Sequence, residues 1–173
     1  PRVPPEVVDP TTFSPDILEF IRVLARHDVH YVIVGGEAVV FYGHVRFTGD
    51  VDFFYDAGAE NAGRLFNALQ EFWSGHTPGL AGPEGLRRAG TVLQYGLPPN
   101  RIDLLNTIDA VPFDTAWTHR LTVRLGSDDD AVDLHYIGLD DLIENTKAAD
   151  RNKDRDDLRF LVASAEKRRH RTE

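Results

Sequence analysis

The chain contains neither cysteine nor methionine among its 173 residues. Without cysteine it can form no disulfide and no thiolate metal site, so a bound metal would depend on carboxylate or imidazole ligands, and magnesium suits the carboxylates. No apolar run approaches the about 18 residues that a membrane helix needs, and the opening PRVPPEVVDP lacks the basic-then-apolar order of a signal peptide. We therefore expect a soluble, cytoplasmic protein with no membrane partner.

The chain also has fewer basic residues than acidic ones. The 19 lysines and arginines face 28 aspartates and glutamates, which gives a formal net charge of −9. This balance argues against binding nucleic acid over a broad surface, although it leaves room for a local basic groove. A hydrophobic content of 42% at this length suits a single core. The sequence therefore predicts one domain over residues 1–173.

Strand-like and helical segments alternate along the chain, which predicts an α+β (α/β) fold. The predicted parts are an N-terminal helix at about 14–27, a core at about 29–136 and C-terminal helices at about 139–168. Within the core, we predict strands at 29–34, 50–56 and 101–108, and helices at 37–44 and 59–73. Segments 119–125 and 131–137 flank a GSDDD turn and predict an antiparallel hairpin, so the sheet should be mixed and flanked by helices.

The stretch VGGEAVVFYGHVRFTGDVDFF, residues 34–54, holds the strongest functional signal. Asp50 and Asp52 share one face of a predicted strand, about 6.6 Å apart, and two ionised carboxylates so placed repel unless a cation or a proton lies between them. Gly35 and Gly36 stand where strand changes to helix, and there bare backbone lets a phosphate reach amide N–H groups. Taken singly, the aspartates also fit a solvent-facing edge strand, and the glycines also fit an ordinary turn.

A third carboxylate follows in the segment RIDLL, where Asp103 shares a strand face with Arg101 and Leu105. If this strand neighbours the one that holds the aspartate pair, three acids meet on one face, which is a costly arrangement for a purely structural sheet. Arg46 and Thr48 come just before the pair and add a cation and a hydroxyl close to the predicted phosphate site.

Together these motifs resemble the minimal nucleotidyltransferase superfamily, which shares the polymerase-beta type core. More narrowly, this stretch, LPPNRIDLLNTIDAVPFDTAW and DLIENTKAADRNKDRDDLRFL are similar to small bacterial nucleotidyltransferase-like proteins related to the toxins of abortive-infection and toxin–antitoxin pairs. The resemblance runs from about Val29 to Leu161. It implies a nucleotidyltransferase fold and transfer of a nucleoside monophosphate from a nucleoside triphosphate such as ATP to an acceptor hydroxyl on RNA, protein or a small molecule. It also implies an antitoxin protein as a partner.

The resemblance assigns roles to individual residues. Asp50, Asp52 and Asp103 would be the catalytic carboxylates and would hold two magnesium ions. The nucleotide would be bound by residues from the glycine pair, the following loop and the C-terminal segments: Gly35, Gly36, Arg46, Thr48, Lys147, Lys153 and Asp154.

Two positions depart from the family pattern. The family carries an Asn-Lys pair, whereas Asn145 is followed here by Thr146, and the lysine comes one place later, about 100° further around a helix. Glu37, directly after the glycine pair, would crowd a triphosphate unless its side chain turns outward. In the last motif, the longer toxins align Asp156 in place of Asp154.

Two rival interpretations stay open, and the departures motivate the first of them. One is a module of the same fold that binds a nucleotide or a partner without catalysis. The other is a metal-dependent nuclease, which would use the same acids but has no need of the glycine pair.

Overall fold

The structure is a computed structural model that describes residues 4–127, 129–151 and 154–172, with side chains as far as residue 169. None of the helices in these ranges is long and apolar enough to cross a membrane. The strands are β1 (Val7–Val8), β2 (Tyr31–Val34), β3 (Asp50–Tyr55), β4 (Val92–Tyr95), β5 (Arg101–Leu105), β6 (Leu121–Leu125) and β7 (Val132–Tyr136). The helices are α1 (Pro15–Arg26), α2 (Gly35–Phe41), α3 (Ala59–Phe72), α4 (Phe113–His119), α5 (Leu139–Ala149) and α6 (Arg155–Thr172).

The described strands form one sheet in the order β1, β6, β7, β2, β3, β5, β4. The pairs β1/β6, β7/β2 and β3/β5 are parallel, and the pairs β6/β7, β2/β3 and β5/β4 are antiparallel. The sheet is thus mixed, and the predicted hairpin is the antiparallel pair β6/β7. The predicted α+β fold class is confirmed.

The N-terminal helix forms as its sequence predicts. The Ser14 hydroxyl caps α1 by accepting a hydrogen bond from the backbone N–H of Ile17 at 3.4 Å, and Pro15 occupies the first helical position. Phe20 and Leu24 are fully buried on the face that packs into the core. The apolar stripe therefore fixes which side of α1 faces the sheet.

Apolar side chains alternate with the aspartates at the start of β3. Val51 and Phe53 are buried, and the Phe53 ring packs edge-on against Phe20 with ring centroids 5.3 Å apart. Because side chains alternate along a strand, Asp50 and Asp52 are turned to the other face. Burial of the apolar set therefore fixes the orientation of the aspartates.

Several elements differ from the sequence-based expectation. Helix α2 begins at Gly35 itself, so the glycine pair forms its first turn and does not precede it. Strand β4 and helix α4 lie in segments for which no element was predicted. Strand β4 alternates between exposed and half-buried residues and sits at the edge of the sheet, so its sequence carries little hydrophobic signal.

Candidate active site

Three carboxylates meet on one face of two neighbouring strands. Strand β5 runs parallel to β3, with Asp103 paired to Asp52 and Arg101 paired to Asp50. Paired residues of adjacent strands point to the same face, so Asp50, Asp52 and Asp103 lie together. We call this group the carboxylate face. The adjacency of the two strands, which the sequence left conditional, is observed.

Arg101 lies within the carboxylate face. Its Nε donates to Asp103 Oδ1 at 2.8 Å, and its Nη2 donates to Asp103 Oδ2 at 2.9 Å. The same Nη2 also bonds to Asp50 Oδ2. Gln94 on β4 donates to Asp103 Oδ2 at 2.9 Å, so both oxygens of this buried carboxylate have partners. Arg101 therefore supplies the positive charge that the cluster requires.

The position of Arg101 bears directly on the expected magnesium site. Among the described residues, no group of three or more carboxylate or imidazole side chains is arranged as a ready-made metal site. The donor set suits magnesium, since it consists of carboxylate oxygens, and the guanidinium shows that a cation fits between Asp50 and Asp103. Asp50, Asp52 and Asp103 would be the residues that hold a magnesium ion, and Arg101 would have to release Asp50 and Asp103.

The Asp52 carboxyl has a perturbed pKa. Its pKa is raised to about 7, chiefly by burial and then by the negative charges of Asp50 and Asp103. The positive charges of Arg101 and Arg151 offset part of this rise. Near neutral pH, Asp52 is therefore only partly ionised, and a divalent cation bound at the carboxylate face would ionise it fully.

The first turn of α2 closes one side of the carboxylate face. Gly35 has φ +63°, and a Cβ built on it would lie 2.2 Å from Asp52 Oδ2. A Cβ on Gly36 would lie 2.5 Å from Arg46 Nη2 and 3.0 Å from Thr48 Cγ2. Gly35 is thus required for its backbone conformation, and both glycines allow neighbouring side chains to approach the backbone closely. The backbone of Gly35 therefore lies directly against Asp52, and the backbone of Gly36 lies directly against Arg46.

The loop that enters β3 brings Arg46 and Thr48 to the glycine pair, as the sequence predicts. Arg46 also forms an ion pair with Asp157 of α6, a residue that no sequence motif singled out. His44 Nε2 lies 3.5 Å from Asp157 Oδ1. The outward-pointing residues of this loop, Val45 and Phe47, are 95% and 91% exposed. The loop thus presents polar side chains inward and apolar ones outward.

A triphosphate at the glycine pair was expected to require an outward-pointing Glu37 side chain. Glu37 does not turn outward. Its side chain is buried, and burial raises its pKa to about 7, while a hydrogen bond with Thr48 partly offsets the rise. At neutral pH, the Glu37 side chain is therefore uncharged in a large fraction of the protein molecules. An uncharged Glu37 repels phosphate far less than a carboxylate does, which lessens the expected conflict.

The C-terminal residues to which the resemblance gives nucleotide-binding roles lie in different surroundings. Lys147 is half-exposed on α5 and pairs with Glu144, with its Nζ 2.9 Å from Glu144 Oε1. Burial raises the pKa of Asp157 and the charge of Asp154 adds to the rise, so Asp154 lies near that residue. Asp156 points to the surface and pairs with Arg159. Lys153 lies outside the described residues. The nucleotide-binding roles of Lys147, Lys153 and Asp154 stay predictions.

Sequence reasoning missed three polar residues around the site. Gln94 was overlooked because the short alternation TVLQY on β4 is weak, although it places Gln94 opposite Asp103. Arg151 acts on Asp52 through its charge from the loop after α5. Asp157 looked like part of a charged helix start, and its deep burial was the distinguishing property. No local pattern reveals that burial.

Three carboxylates on adjacent strands, beside a helix that begins with glycines, form the arrangement that the resemblance to nucleotidyltransferases implied. Residues 15–164 match the family model described as "Nucleotidyltransferase of unknown function (DUF6036)". This match spans most of the chain, and the protein belongs to that family. Comparison with curated proteins found no match.

Proposed function

We propose that the protein is a magnesium-dependent nucleotidyltransferase that moves a nucleoside monophosphate from a nucleoside triphosphate to an acceptor hydroxyl. The observation that carries this proposal is the pairing of Asp52 with Asp103 beside the backbone of Gly35. Membership in a family of nucleotidyltransferases supports the same class of reaction.

In this reaction the acceptor hydroxyl loses its proton to solvent as its oxygen bonds to the α-phosphorus, the bond from the α-phosphorus to the bridging oxygen breaks, and pyrophosphate leaves. Two magnesium ions held by the carboxylate face would offset phosphate charge and make the acceptor hydroxyl more acidic. The first turn of α2 would offer backbone N–H groups to the triphosphate, and Arg46 would add a fixed positive charge. Arg101 would have to release Asp50 and Asp103 for the metal to bind.

The finer parts of the proposal rest on resemblance alone. We propose ATP or another nucleoside triphosphate as donor, an RNA, protein or small-molecule hydroxyl as acceptor, and a toxin role with a partner antitoxin. If the protein is a toxin, its expression should arrest growth of a bacterial host, and the double variant Asp50→Asn/Asp52→Asn should not. The cytoplasmic location expected from the sequence stays a prediction.

The reaction is tested by incubating the protein with each triphosphate, labelled on the α-phosphate, together with magnesium and cell extract. We expect label to appear in a macromolecule or small product and pyrophosphate to be released in equal amount. The double variant Asp50→Asn/Asp52→Asn should abolish both signals. Cleavage of a polymer without pyrophosphate release would instead indicate a nuclease.

A module that binds nucleotide or a partner without catalysis is the second candidate. The position of Arg101 favours it, since this guanidinium occupies the place that the metal would take between Asp50 and Asp103. Titration calorimetry separates a transferase from a module that binds only a protein partner, and release of pyrophosphate separates it from a module that binds nucleotide without catalysis. A transferase should bind a non-hydrolysable triphosphate in a magnesium-dependent way, whereas a module that binds only a protein partner should bind none.

A further inference from the structure

The Arg46 side chain joins two elements that are far apart in sequence. Its Nη1 donates to Asp157 on α6, 111 residues away, and its Nη2 lies against Gly36 in the first turn of α2. The guanidinium thus lies between a buried carboxylate and the helix end that we propose binds phosphate. Its Nε is buried and has no hydrogen-bond partner among the described residues.

Asp157 is built into the protein interior. Its side chain is only 6% exposed, although it sits in the first turn of a helix whose neighbouring acid, Asp156, is 83% exposed. Burying a carboxylate is unfavourable unless it is paired, and Arg46 and His44 provide that pairing. His44 in turn packs against Phe160 of α6, with ring centroids 4.7 Å apart. The contact between loop and helix is therefore specific.

We propose that Asp157 is a positioning residue that holds the Arg46 guanidinium at the first turn of α2, ready for the triphosphate. This inference rests on the proposed function and deepens it, because it makes α6 a part of the nucleotide site. An arginine without such a partner loses rotamer freedom when it binds phosphate, and that loss weakens binding. With Asp157 present, the loss has already occurred in the folded protein.

The alternative is an ion pair that only stabilises the fold. A structural pair would change the free energy of unfolding and leave the triphosphate affinity of the folded protein unchanged. A positioning pair changes that affinity, and it does so only while Arg46 is present. These two consequences are measured separately.

The test uses the full chain and titration calorimetry with magnesium, first with a non-hydrolysable ATP analogue and then with inorganic tripolyphosphate. Asp157→Asn should weaken binding of both ligands about tenfold, equivalent to about 1.4 kcal/mol. The affinities for the two ligands should fall by the same factor, because Arg46 is proposed to face the phosphates and not the base. Asp156→Asn is the matched control, since it removes the same charge from the same helical turn, and its affinity should stay close to that of the unaltered protein.

A double-mutant cycle excludes an indirect effect of stability. In an Arg46→Ala background, Asp157→Asn should cause no further loss of affinity. Urea unfolding of each variant shows whether it is folded under the binding conditions. If Asp157→Asn does not fold, the comparison is made with Asp157→Glu, which we expect to retain the pair and to bind within about threefold of the unaltered protein.

Each outcome has a clear meaning. Equal affinities for the unaltered protein and Asp157→Asn would overturn the inference alone, as would an equal loss with and without Arg46. Failure of the unaltered protein to bind either ligand would overturn the proposed function and this inference with it.

Discussion

Glu37 and Asp52 are acidic side chains that lose much of their hydration when the protein folds. Burial is the largest cause of the rise in pKa to about 7 for each of them. A carboxyl group whose pKa is higher in the folded than in the unfolded protein favours folding only while it is protonated. These residues therefore link the stability of the protein to pH in the range where it is expected to work.

The substitution Glu37→Gln tests this linkage. The pKa of Glu37 rises from 4.5 to about 7, so its contribution to stability is complete below pH 4.5 and is lost as the pH rises through 7. At pH 8 the variant should have a free energy of unfolding higher than that of the unaltered protein by on the order of 1 to 3 kcal/mol. At pH 4.5 the two should be nearly equal. Urea unfolding across this pH range measures both.

Glu60→Gln is the control for that substitution, because Glu60 is 82% exposed and pairs only at the surface with Arg64. This control should show little pH-dependent difference from the unaltered protein. A Glu37→Gln protein that is less stable at pH 8 would contradict the account of its burial.

Arg101 competes with metal for the carboxylate face. Arg101→Ala leaves Asp50 and Asp103 without their shared positive charge, so the free protein should be destabilised while its affinity for magnesium rises about tenfold, equivalent to about 1.4 kcal/mol. Calorimetric titration with magnesium alone measures the change. Arg124→Ala is the matched control, since Arg124 on β6 also pairs with an aspartate on the neighbouring strand, Asp133 of β7, but at the exposed surface. Unchanged or weaker magnesium binding by Arg101→Ala would contradict the assigned competition.

At the scale of elements, the candidate active site depends on how helix α2 meets strand β3. Gly35 combines a positive φ with contact to Asp52, so the turn from β2 into α2 determines where the helix begins and where its N–H groups point. Any side chain at this position would push α2 away from the carboxylate face.

Gly35→Ala should therefore destabilise the protein by at least about 1 to 3 kcal/mol, the usual cost of a left-handed backbone for a residue other than glycine, with the clash against Asp52 added. Gly63→Ala is the control, because Gly63 lies inside α3 and an added Cβ meets nothing within 4 Å. It should stabilise the helix by about 0.5 to 1 kcal/mol. Urea unfolding compares the two. Tolerance of alanine at position 35 would be inconsistent with the close approach to Asp52.

Local patterns predicted the elements that have strong periodicity. The apolar spacing of α1 and the alternation of β3 were visible in the sequence, and so was the shared face of Asp50 and Asp52. The neighbour of β3 was not, because the order of strands depends on packing between distant segments and not on any local pattern. Arg101 was recognised only as a residue on the same face as Asp103, and its bridge to Asp50 became apparent only from the register of β3 and β5.

At the scale of the whole molecule, helix α6 meets the loop before β3 beside the proposed nucleotide site. Helix α6 contributes Asp157 to the loop before β3, a contact across 111 residues that no sequence spacing announces. The protein has a formal net charge of −9, yet Arg46, Arg101 and Arg151 all act on carboxylates of the candidate site. These three local cations are compatible with the proposed binding of a triphosphate by an acidic protein.

The most direct test of the central claim is a crystal structure with magnesium and a non-hydrolysable nucleoside triphosphate. We expect metal bound by Asp50, Asp52 and Asp103, phosphate against the first turn of α2, and Arg101 released from the two carboxylates it now joins. A triphosphate bound elsewhere, with Arg101 still joining Asp50 to Asp103, would contradict the claim that this face performs nucleotidyl transfer.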